Sequence, residues 1–329
     1  MSKEKKDKPK FAFYWAASCG GCEIAVLDID EKILDVANNA EILFWPVAMD
    51  FKYKDVEAMK DNYIDVCFFN GAIRTSEQEY LAKLLRKKSK ALVAFGSCAI
   101  NGGIPGLANV SNKKEIFETA YIDNPSTENP DKIVPKTNSK VKEGSLTLPE
   151  FYDTVKSLDQ TVKVDYYLPG CPPPTKLIIN AITAIFENKL PENGSVLAPL
   201  KSVCDECARE KTEKKITDIK RVYEMENIDP KICLLEQGII CLGPATRGGC
   251  GALCLDANMP CTGCGGPTPN SLDQGAKMIS ALASVIGIEH EEEMSEQEIN
   301  DLIDKIIDPI GTFYKYGLPT AIINRRVKK

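Results

Sequence analysis

Thirteen cysteines stand in this chain beside a single histidine, so any metal chemistry it performs is sulfur chemistry. They sit in motifs that suit a bulky cofactor: Cys19 and Cys22 in SCGGCE, Cys98 in GSCAINGG, and Cys171 in PGCPPP. Glycine or proline flanks each of these four, which lets backbone approach a cofactor and offer N–H groups to its sulfurs. A second group begins with Cys204 and Cys207 in CDEC and continues with Cys233 and Cys241. It ends with Cys250, Cys254, Cys261 and Cys264 in GGCGALCLDANMPCTGCGGP. Cys67 differs, because it lies inside the apolar run VCFFN and reads as a small core hydrophobe. Setting it aside leaves twelve of the thirteen, which is three sets of four. CxxC pairs also bind zinc, although the two terminal pairs here lie far apart with four more cysteines between them. Iron–sulfur clusters take thiolates in fours and imply electron transfer. Spacing leaves zinc as the alternative.

The elements that must position these thiols are legible as alternation. Apolar, β-rich runs at 11–16, 41–48, 64–70, 91–96 and 162–168 are separated by amphipathic stretches at about 22–37, 54–61 and 75–88. That order predicts an α/β domain with a flavodoxin-like, doubly wound parallel sheet. The polar run at 105–161 reads as a surface insertion ending in a short helix from near Pro149, in LPEFYDTVKSL. A helix at 174–188 then covers the sheet. Ligands of open α/β sheets bind outside the carboxyl ends of the strands. Cys19 and Cys22 follow the first strand, Cys98 the fourth and Cys171 the fifth, so these four are expected to converge. At 43% hydrophobic, 329 residues can fill two cores, read as domains 1–190 and 191–329 with PENGSVLAP at 191–199 as the linker. The second is the smaller, mostly irregular and helical. After residue 270 it shows helical spacing over 275–287, with Met278 as core, and Ser295 before Glu298 predicts a capped helix from about 296.

The net charge of −6 is spread without a basic stripe, which argues against nucleic acid as a partner. The N-terminus lacks an export signal or spanning segment, so a cytoplasmic chain with no membrane partner is expected. In that compartment thiols stay reduced, and CxxC pairs read as ligands rather than disulfides. The basic ends KEKKDKPK and NRRVKK read as solvated tails, as does His290 in EHEEEM.

SCGGCE, GSCAINGG and PGCPPP, followed in order by CDEC, Cys233, Cys241 and PCTGCGG, resemble the small subunit of NiFe hydrogenases over most of residues 11–270. The resemblance implies three 4Fe-4S clusters: a proximal one on Cys19, Cys22, Cys98 and Cys171, a medial one on Cys250, Cys254, Cys261 and Cys264, and a distal one on Cys204, Cys207, Cys233 and Cys241. Membrane-associated members carry histidine where this chain has Cys204, and often proline where it has Cys254. The chain is therefore similar to the cytoplasmic methyl-viologen-reducing type of methanogen hydrogenase, which does not reduce coenzyme F420. That likeness implies a large subunit holding the NiFe site, a small delta-type iron–sulfur subunit, and a flavin-containing heterodisulfide reductase as partners. It implies an oxidoreductase subunit in methanogenesis with no catalytic side chain of its own. The F420-reducing relative is an alternative that would be expected to carry a ferredoxin-like CxxCxxCxxxCP run, and none is found here. A complex-I-like subunit would lack the eight C-terminal cysteines. Glu23 reads as a helix N-terminal carboxylate favoured by the dipole, with help in proton movement as the alternative. Arg74 reads as half of a surface ion pair rather than as a group orienting a partner or cluster.

Overall fold

In FAFYW the side chains alternate between two buried faces, Phe11 and Phe13 on one, Ala12 and Tyr14 on the other. A strand buried on both faces belongs inside a parallel sheet. A computed structural model of the protein, describing residues 8–212, 216, 218–286 and 295–324, places it there. The chain runs through β1 (Lys10–Trp15), α1 (Gly21–Leu27), α2 (Lys32–Asn39), β2 (Glu41–Phe44), α3 (Tyr53–Ala58), β3 (Ile64–Asn70), β4 (Ile73–Thr75), α4 (Ser76–Lys88) and β5 (Ser89–Phe95). It continues through α5 (Ser97–Asn101), α6 (Lys113–Tyr121), β6 (Asn138–Val141), β7 (Gly144–Thr147), β8 (Phe151–Lys156), β9 (Tyr166–Leu168), α7 (Thr175–Phe186) and β10 (Ser195–Val196).

Six strands form one all-parallel sheet in the order β2-β1-β3-β5-β9-β10. This is the flavodoxin-like order with one strand added at the edge. The added strand, β10, comes from the segment read as a linker. Helices α1, α2 and α7 cover one face, and α3 and α4 the other. Phe68 of β3 lies at the centre of the first face, with ring centroids 5.7, 5.0 and 5.9 Å from those of Phe11, Phe13 and Phe95. Phe68→Ala is expected to cost about 3–5 kcal/mol, as large-to-small changes in packed cores do. The check is a lowered denaturation midpoint at unchanged slope. A shift within about 0.5 kcal/mol, as at a surface site, would contradict the packing.

Two local expectations are corrected. The stretch at 22–37 is two helices, because Asp30 takes a left-handed conformation, φ 55°, between α1 and α2. LPEFYDTVKSL does not form the helix expected from Pro149. Its residues 151–156 are β8, antiparallel to β4 with Thr75 opposite Phe151. Phe151, Tyr152, Thr154 and Val155 are residue types that suit a pleated strand. Asn109 fixes the strand further, donating to Val155 O at 3.0 Å and accepting from its N–H at 2.7 Å. The insertion also carries α6 and the β6–β7 hairpin.

Beyond residue 199 the described chain is largely irregular, with α8 (Leu253–Asp256), α9 (Gln274–Val285), α10 (Glu296–Asp304) and α11 (Pro309–Phe313). Met278 is fully buried with Leu282, Phe313 and Tyr314, while a second cluster joins Leu234 and Ile239 to Cys241 and Cys261. Ser295 and Glu298 cap α10 reciprocally, as their spacing predicts. His290 and most of both basic ends lie outside the described residues. Among the described residues no helix is long and apolar enough to cross a membrane.

Candidate metal centres

The first centre is built where β1, β5 and β9 end. Gly20, in a left-handed conformation at φ 82°, turns the chain from β1 into α1, whose first turn carries Cys22. Cys98 opens α5 directly after β5, and Cys171 follows β9. The four expected thiols are brought together electrostatically: burial raises the Cys22 thiol most, and Cys98, Cys171 and Cys19 each raise it further. Cys98 is pushed up to about 12 by burial and then by Cys171 and Cys19. Two glycines make room for these sulfurs. A Cβ on Gly96 would stand 2.4 Å from Cys22 Sγ, and one on Gly103 2.5 Å from Cys98 Sγ. The Gly21 N–H donates to Cys19 Sγ at 3.4 Å.

Cys250, Cys254, Cys261 and Cys264 line one cavity of about 370 Å³, whose wall includes Cys171 of the first centre. Cys264 is pushed up to about 12 by burial, with Cys261, Cys250 and Cys171 adding to it and the Cys171 backbone amide opposing the rise. The Ser97 hydroxyl reaches Gly170 O at 2.8 Å and Cys264 O at 2.6 Å, fastening the two centres together.

The remaining set adjoins this cavity at Cys261. Cys204 is pushed up to about 11 by burial. Lys211 opposes the rise, and Cys233, Cys207 and Cys261 add to it. Cys241 is likewise pushed up to about 11 by burial, against N–H groups of Gly243 and Cys261 that favour the thiolate. The second of these is a hydrogen bond from Cys261 N–H to Cys241 Sγ at 3.4 Å. A Cβ on Gly243 would stand 3.0 Å from Cys204 Sγ and 3.6 Å from Cys241 Sγ. Glu206, inside CDEC, accepts the N–H groups of Gly249 and Gly251, each at 2.9 Å. Burial alone would raise this carboxyl, but those donors and Lys201 outweigh it and hold it below the usual range. One carboxylate thus ties the CDEC turn to the amides on both sides of Cys250.

The donor set fits a polynuclear sulfur-bound group. Among the described residues no three Cys, His, Asp or Glu side chains close on a point where one metal ion would sit. A coordinating thiol must lose its proton, so loading such centres is coupled to proton release and weakens as pH falls.

Cys67 is fully buried in β3 among core side chains, and burial pushes its thiol up to about 12. Glu23 lies in the first turn of α1 as expected, yet it is only 3% exposed. Trp45 Nε1 and Asn70 Nδ2 donate to its two oxygens. Burial raises its carboxyl, against those two donors. Arg74 is not at the surface: it is 6% exposed, its guanidinium 4.1 Å from the centre of the Phe151 ring. The unexpected strand β8 supplies that ring. Ser97 and Glu206 were not singled out in the sequence. Their neighbourhood in cysteine motifs was the available signal.

Fold and cysteines define a flavodoxin-like protein with a thiol-lined sheet edge, of the class of redox-enzyme subunits. A family model described as NADH ubiquinone oxidoreductase, 20 Kd subunit, matches residues 19–185. The iron-sulfur subunit of the F420-non-reducing hydrogenase of Archaeoglobus profundus is 44% identical over 326 residues, covering 97% of this chain and 99% of the relative. An F420-non-reducing hydrogenase subunit of Methanothermobacter marburgensis is 36% identical over 325 residues, covering 98% of each. The chain belongs to this family of F420-non-reducing hydrogenase subunits and is an oxidoreductase subunit.

Proposed function

We propose that the chain carries electrons from a NiFe large subunit through three 4Fe-4S clusters toward a heterodisulfide-reductase-linked acceptor. Cys19, Cys22, Cys98 and Cys171 would hold the proximal cluster, Cys250, Cys254, Cys261 and Cys264 the medial one, and Cys204, Cys207, Cys233 and Cys241 the distal one. The supporting observation is continuity. Cys171 lines the cavity of the second set and Ser97 bridges Gly170 O and Cys264 O, while Cys261 N–H donates to Cys241 Sγ, so each set adjoins the next. Bound there, the clusters supply one-electron transfer. The chain's own residues space the sets, bury them, and offer N–H groups to sulfur, which tunes potential. On this reading residues 1–190 serve the proximal cluster and 191–329 the other two, in a cytoplasmic complex with a large subunit, a delta-type subunit and the flavin-containing reductase.

A complex-I-like role has one observation in its favour, the description of the matching family model. That match ends at residue 185, before the eight C-terminal cysteines. Visible spectra of the anaerobic complex separate the two: hydrogen is expected to bleach the iron–sulfur absorption, and no response to hydrogen would overturn the hydrogenase reading.

Cys254→Pro tests the medial assignment. Cys254 is the second residue of α8, where proline is tolerated. The change is expected to give a three-iron cluster of higher potential, seen as a new paramagnetic signal and about one iron fewer per chain. An unchanged spectrum would mean that Cys254 is not a ligand.

A further inference from the structure

Arg209 is only 7% exposed, and all five of its N–H groups are given to protein oxygens. Nε donates to Leu255 O at 3.3 Å, Nη1 to Asp229 O at 2.8 Å and Ile232 O at 3.0 Å, and Nη2 to Leu255 O at 2.9 Å and to Asn258 Oδ1. Every acceptor is neutral. Arg86, by contrast, pairs with the Asp165 carboxylate, and among the described residues no carboxylate does this for Arg209. A cation withdrawn from water is costly unless a negative charge compensates it.

The position of the guanidinium indicates where that charge comes from. Arg209 follows Cys207 by two residues, Ile232 precedes Cys233, and Leu255 follows Cys254. Its hydrogen bonds therefore gather carbonyls beside cysteines of two different sets, while none reaches the set of Cys19, Cys22, Cys98 and Cys171. We infer that Arg209 is the buried countercharge shared by the medial and distal sets, and that it raises the reduction potentials of the clusters they would hold. This rests on the iron–sulfur reading above. Reduction makes a thiolate-bound cluster more negative, so a fixed cation beside it favours the reduced form, net charge being one of the factors that set such potentials. Lys211 also faces Cys204, but it is exposed and screened by solvent. Arg209 is a positioning and tuning residue and touches no substrate.

The test is a redox titration followed by electron paramagnetic resonance, with iron per chain, on the anaerobically purified complex carrying R209Q or R209K. In R209Q the reduction equilibria of two clusters are expected to fall about tenfold, about 59 mV for a one-electron couple. The proximal cluster should not move. R209K, which keeps the charge and loses part of the hydrogen bonding, should stay close to wild type. Full iron with unmoved potentials in R209Q, a shift in R209K as large as in R209Q, or all three clusters moving together would each overturn the inference. If R209Q fails to retain iron, R209K decides: retained iron at wild-type potentials supports the countercharge, and lost iron makes Arg209 a matter of shape and overturns it. A wild-type complex without iron would instead overturn the iron–sulfur reading itself.

Discussion

Cys22→Ser is expected to empty the first cysteine set and to cut hydrogen-driven dye reduction by at least about 100-fold, the upper end of what even a supporting residue around a metal site costs. Cys22 is 7% exposed, in the first turn of α1, with its sulfur against Gly96. Water has little room there to replace a lost ligand, and a serine oxygen is a harder, poorer partner for an iron–sulfur cluster than thiolate. On the proposed reading the position also begins the route: Cys98 and Cys171 both act on the Cys22 thiol, and Cys171 lines the cavity that holds Cys264 of the next set. Iron should fall by about four per chain while the two other sets stay loaded. Retained iron with normal hydrogen-driven reduction would remove Cys22 from the relay. Cys67→Ser is the matching control, because Cys67 lies in β3 within the core. It should lower stability and leave iron unchanged.

Gly96→Ala is expected to have a comparable effect without touching a ligand. The added Cβ would stand 2.4 Å from Cys22 Sγ, and the residue would keep φ at +85°. The strained conformation, essentially confined to glycine, costs about 1–3 kcal/mol, and forcing atoms into a filled site costs about 1–3 kcal/mol more. Relief requires the Cys22 sulfur to shift from its place, so iron loading of that set should fail. Gly194→Ala separates the two costs, since Gly194 has φ +91° but open space where a Cβ would go. It should show the strain alone and retain all iron. Equal iron in Gly96→Ala and Gly194→Ala would show that the close approach at Gly96 does not position Cys22.

The sheet and the first four cysteines were legible because the signals that encode them are local. FAFYWA, IDVCFFN and ALVAFG each carry their own burial pattern, and a parallel α/β sheet collects the segments after its strands at one edge. Distant pairing was not legible. Residues 151–156 became a strand because β4 and Asn109 satisfy its backbone, and those partners lie more than forty residues away in sequence. The same strand buries Arg74 beneath Phe151, where sequence alone suggested a surface pair. Glu23 is buried for the same kind of reason, its donors Trp45 and Asn70 being 22 and 47 residues further on. In the C-terminal half, spacing could count eight cysteines, but only folding brings four of them to one cavity and sets Glu206 and Arg209 between the loops.

The most direct measurement is iron, zinc and acid-labile sulfide per chain in the anaerobically purified complex, with spectra before and after hydrogen. The relay predicts about twelve irons with matching sulfide, negligible zinc, and bleaching by hydrogen. Stoichiometric zinc, or about four irons that hydrogen leaves unchanged, would contradict it.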